Sequence, residues 1–153
     1  MRVTVIRSKE LDKPAAAAIR AAGLGALLRR CGDQLGVPAA SGLSLRLTDD
    51  VELARLNLGF LGADAPTDVL AFPAGEAGYV GDIAISVPRG LAQAPDGDGA
   101  AELRLLAVHG LLHCLGHDHA EPAEAREMSA ATRRLLPDQT VPELRPAGPG
   151  ALS

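Results

Sequence analysis

Eleven residues, His109–His119, read HGLLHCLGHDH and constrain this chain more than any other stretch; all 4 of its histidines lie there. The preceding residues, AELRLLAV, are strong helix formers free of Pro and Gly, so a helix over Ala100–Leu115 is expected. Residues four apart share one helix face, which aims His109 and His113 the same way. Gly116 is placed where a helix can end in a left-handed residue, and that bend can return His119 to the same point. Three converging imidazoles suit a transition metal, most simply one zinc ion, with Zn–N distances of about 2.0–2.1 Å. Three protein ligands leave a fourth position for water, the catalytic pattern, whereas closed structural sites use four. An ion held this way acidifies water and polarises a carbonyl or phosphoryl oxygen. A metal-assisted hydrolase or a related Lewis-acid enzyme is therefore expected.

The neighbours of the triad read less sharply. His117 suits a fourth ligand, a substrate contact or a solvated turn residue, the last two being favoured. Asp118 suits either an orienting partner of a ligand imidazole or a turn. Cys114, next to His113, points about a quarter-turn away and reads as a buried core thiol. The spacing also matches HExxHxxGxxH proteases, but those need a Glu general base directly after the first His. Gly110 stands there, which argues against a peptidase.

The window resembles the hallmark of the YbeY family, HGxLHLxGYDH. Two further blocks agree in order: Leu56–Pro73, LNLGFLGADAPTDVLAFP, is similar to the family's LN…R…D.PTDVLSFP, and Gly81–Ser86, GDIAIS, resembles its GDI.I strand. Together they cover most of residues 45–120. The resemblance implies a metal-dependent endoribonuclease specific for single strands. It also implies a role at the 3′ end of small-subunit ribosomal RNA and in ribosome quality control, with precursor RNA and the ribosome as partners. The metal triad His109, His113, His119 carries over. The family's Arg in the LN–PTDV segment does not, because Leu61 occupies that place. The alternative is a non-catalytic ribosome-assembly factor with a fold-stabilising metal, and less so a zinc peptidase or other hydrolase.

At 153 residues the chain suits a single domain, expected over 1–136, with the Pro/Gly-rich stretch 137–153 expected as a disordered tail. Aromatics are 2%, so stacking platforms for bases are scarce, with Phe60, Phe72 and Tyr79 the candidates. The net charge of −4 lacks the basic footprint of a nucleic-acid binder. RNA contact would then rest on the metal and a local patch, for which Arg126, Arg133 and Arg134 are candidates. Cys31 and Cys114 make no disulfide framework. The absence of a leader and of a spanning apolar run sets a cytoplasmic protein without membrane or DNA contact as the expectation.

Strands are expected at Met1–Arg7, Leu43–Leu47, Asp68–Phe72 (closed by Pro73) and Val80–Ser86, where apolar residues alternate or cluster. Helices are expected over 14–36 (weakened by Gly23 and Gly25), from Asp49 to about Gly59, from Pro88, and from Glu121-Pro122 to about Leu136. GADAP, residues 62–66, and the acidic 95–99 read as loops, the latter mobile. The fold class is α+β: a small mixed β-sheet of about four strands covered by helices, with a central buried helix carrying the metal ligands.

Overall fold

A computed structural model describes residues 1–62 and 67–148. Its elements follow the order β1 (Arg2–Arg7), α1 (Lys13–Ala22), α2 (Leu24–Gln34), β2 (Gly42–Thr48), α3 (Asp50–Leu56), β3 (Val69–Glu76), β4 (Tyr79–Ser86), α4 (Val87–Gln93), α5 (Gly99–Cys114) and α6 (Pro122–Leu135). The strands form one mixed sheet in the order β1-β2-β4-β3. β1 and β4 flank β2 in parallel, while β3 returns antiparallel on β4 as a hairpin.

Side-chain alternation sorts the two faces. Leu45 pairs with Ile83 and Leu47 with Ile85, and all four are at most 1% exposed. These residues face the helices, because a Cβ added at Gly110 of α5 would lie 2.7 Å from Ile83 Cγ2. The residues between them, Ser44, Arg46 and Asp82, look out from the other face, of which α3 and the π-turn Asn57–Leu61 cover one part. Phe72 also lies there, edge-on to Phe60 at 5.6 Å between centroids. Tyr79 donates to Asp82. The scarce aromatic rings therefore sit away from the face that carries α5.

α5 is the core helix. Leu103, Ala107, Val108, Leu111 and Leu112 are fully buried, and the helix packs against α1, α2, α4, β3 and β4. Asp98 starts it by accepting the Ala101 N–H at 3.1 Å, so the acidic stretch expected as a mobile loop ends in a cap. α3 starts likewise, with Asp49 accepting the Glu52 N–H at 3.0 Å.

Three expectations need correction. The helix expected over 14–36 is two helices, broken at Gly23, whose φ of 59° is left-handed and closes α1. The strand expected to end before Pro73 runs on to Glu76. β3 is an edge strand, where a residue lacking an N–H can be accommodated. The stretch expected as a disordered tail has no helix or strand as far as Gly148, yet that part is packed, and residues 149–153 lie outside the described residues. Val141 and Leu144 lie against the core, Leu144 N–H donates to Ser129 Oγ at 2.9 Å, and Arg133 pairs with Glu143. Of the GADAP loop only Gly62 lies within the described residues.

Candidate metal centre

His109 and His113 lie one turn apart near the end of α5. Their Nε2 atoms are 3.1 Å apart. Leu115 ends the helix, and Gly116, with φ 99°, reverses the chain. The Gly116 N–H reaches His113 O at 3.0 Å and the His117 N–H reaches Leu112 O at 2.9 Å. These bonds satisfy the helix's last carbonyls while the chain bends. Asp118 Oδ1 then accepts the His119 N–H at 2.7 Å, so Asp118 holds the turn. The bend brings the His119 ring to 5.3 Å from His109 and 5.4 Å from His113, centroid to centroid. One ligating nitrogen from each residue falls in a group within 4.8 Å of one another. His117 is half-buried and outside this group.

The electrostatics fit a metal. Burial, with the neighbouring rings adding, pushes His109 down to about 3. His113 is lowered too, by burial first and then by His119, while a hydrogen bond to the His117 backbone and the charge of Asp118 push the other way. Both rings are therefore held neutral, the protonation state a metal ligand requires. His119 is 4% exposed, and its Nε2 is buried without a hydrogen-bond partner among the described residues. A buried acceptor left unpaired costs about 1–3 kcal/mol, and a cation shared with His109 and His113 would remove that cost. The residues present fit a divalent ion.

Cys114 is half-buried, with Sγ 3.9 Å from Asp82 O. Burial pushes its thiol up to about 12, so it is a poor thiolate donor. Gly81 gives it room, since a Cβ there would lie 2.9 Å from the sulfur.

Two parts of the site were not read from the sequence. Beside His109 is a cavity of about 270 Å³ whose lining includes Asp68, Glu102, Leu106 and Val141. Gln93 Nε2 donates to Asp68 Oδ2 at 2.9 Å and to Glu102 Oε2 at 2.7 Å, tying the two carboxyls together. Burial raises the Glu102 carboxyl. The spacing of seven between Glu102 and His109 puts both on one helix face, a signal available in the sequence. The second part is the C-terminal segment. His119 Nδ1 lies 3.4 Å from Arg145 O, and the Ala147 N–H donates to His119 O at 2.8 Å. Arg126 and Arg134 are exposed on α6, whereas Arg133 is engaged with Glu143. The side chain of Leu61 lies outside the description; its backbone closes the π-turn.

A family model described as endoribonuclease YbeY matches residues 9–139. A protein of that name from Gloeobacter violaceus is 45% identical over 122 residues, which is 69% of this chain and 63% of the relative, a little under two thirds of its length. Those from Salinispora tropica and Chloroflexus aurantiacus are 41% identical over 129 residues and 40% identical over 146. These alignments cover 72% and 86% of this chain and 82% and 87% of theirs. A Thermotoga maritima protein solved in solution shares the fold, with a TM-score of 0.61 at 23% identity over 88% of this chain and 86% of that one. Among the described residues, no helix is long and apolar enough to cross a membrane.

Proposed function

The chain belongs to the YbeY endoribonuclease family, and on that premise we propose that it is a metal-dependent endoribonuclease acting on single-stranded RNA. Its proposed substrate is precursor small-subunit ribosomal RNA, processed at the 3′ end on or near the ribosome. The observation that carries this reading is the convergence of three histidine nitrogens, one of them buried and unpaired. His109, His113 and His119 are the proposed ligands of one zinc ion.

A zinc ion in that position supplies Lewis acidity toward a phosphodiester oxygen and raises the acidity of water. The protein's own residues do the rest. Burial keeps His109 neutral and fixes its rotamer, and packing of α5 on the sheet sets the spacing of the helical pair. Asp68 and Glu102 share the cavity with His109 and are the carboxyls positioned to hold a proton during cleavage. Leu61 offers no guanidinium, so charge on the scissile phosphate is met by the ion and by exposed arginines such as Arg126 and Arg134.

Purified protein should cut single-stranded RNA, and His113→Ala should lose both cleavage and metal. Cleavage that persists equally after metal removal would reject this reading. One other reading has support: Leu61 and the net charge of −4 favour a non-catalytic ribosome-assembly factor with a fold-stabilising metal. In that case His113→Ala lowers the melting temperature, with no cleavage in the parent to lose.

A further inference from the structure

We infer that the segment Val141–Gly148, which lies beyond the family match at residue 139, is a working part of the metal centre. It would position His119 for the ion. This rests on the reading of the triad as a metal site.

The segment is anchored at several points. Just before it, Gln139 Nε2 donates to Ala101 O of α5 at 2.9 Å. Leu144 N–H donates to Ser129 Oγ at 2.9 Å, and that serine is fully buried on α6. Ala147 N–H donates to His119 O at 2.8 Å and Gly148 N–H to Ala120 O at 3.1 Å. Between these anchors, Arg145 O faces His119 Nδ1 at 3.4 Å. A carbonyl only accepts, so this contact places the ring proton on Nδ1. Nε2, buried and unpaired, then keeps its lone pair for the ion. A ligand histidine is commonly oriented by such a partner on its other nitrogen. His113 has a comparable contact from the nearby turn, through the His117 backbone. His119 lies in a loop without helical support, and its partner comes from the distant C-terminal segment. The same segment contributes Val141, Pro142 and Leu144 to the cavity wall beside His109.

The test uses the full chain. Ala147→Pro deletes the N–H that ties the segment to His119, Ala147→Gly keeps it, and Ser129→Ala removes the acceptor for Leu144. Arg20→Ala, an exposed residue of α1 off the segment, is the control. Zinc affinity is measured by chelator competition, and the visible spectrum of the cobalt(II)-substituted protein reports ligand geometry. Ala147→Pro is expected to lose roughly tenfold or more in affinity, the usual effect of removing an outer partner, with a changed cobalt spectrum. Ser129→Ala should shift both in the same direction by less, while Ala147→Gly and Arg20→Ala match the parent. Parental affinity and spectrum in Ala147→Pro would overturn the inference. If that variant does not fold, Ser129→Ala decides, and parental values there overturn it. A parent that binds no metal would overturn the site reading and this inference together; a metal-binding parent with unaffected variants overturns only this one.

Discussion

At Gly110 the missing side chain is a packing requirement. A Cβ there would lie 2.7 Å from Ile83 Cγ2 and within 3.3 Å of two other Ile83 atoms. Gly110→Ala gains about 1 kcal/mol of helix propensity but incurs overpacking of about 1–3 kcal/mol. A net loss of up to about 2 kcal/mol is predicted, read from the urea midpoint, and a raised midpoint would contradict it. The same contact explains why a protease-like Glu has no room after the first histidine. His109 carries a pH prediction. Its folded value, about 3, lies below the ordinary 6.5. Between those values the unfolded chain binds the extra proton. Stability of the metal-free protein should therefore fall as pH drops from about 6.5 toward 3, and His109→Gln should flatten that part of the profile. The triad was legible because a four-residue helical spacing and a glycine bend are local rules. The partner of His119 was not, because it is a backbone carbonyl 26 residues away with no side-chain signature.

The elements divide in the same way. β2 and β4 were legible from alternating Leu and Ile, and α5 from a run of strong helix formers, mostly apolar and free of Pro. The break at Gly23 and the extension of β3 past Pro73 depend on tertiary placement: α2 turns to pack on β1 and α5, and β3 occupies a sheet edge. Between α4 and α5, Glu102 is 8% exposed and receives one hydrogen bond from Gln93. Burial holds its folded carboxyl above the ordinary value of 4.5. As pH rises through that range the unfolded chain loses its proton first, so the native state loses stability. Glu102→Gln should thus melt higher than the parent at pH 7, and the gap should close in acid, below the unfolded value. A gap that persists undiminished at acid pH would show that burial of the charge is not its cause.

For the whole molecule, the sheet serves as a platform: one face receives α5 with the candidate metal centre, and the other displays the few aromatic rings. A net charge of −4 leaves little long-range attraction for RNA. Each neutralised phosphate on a single strand contributes about −0.7 to the log–log salt slope. About four contacts would give a slope no steeper than about −3, measured by RNA binding across salt. A much steeper slope would require a basic surface that the composition does not provide. The fold class was legible because binary patterning and helix signals agreed along most of the chain. The packed segment after Leu136 was not, since Pro and Gly richness describes a chain without regular structure whether or not it is held in place. The most direct measurement is the metal content of purified native protein beside its His113→Ala variant. One zinc ion per chain, lost in the variant, is the predicted result; a metal-free parent, or a variant that keeps its ion with equal affinity, would contradict it.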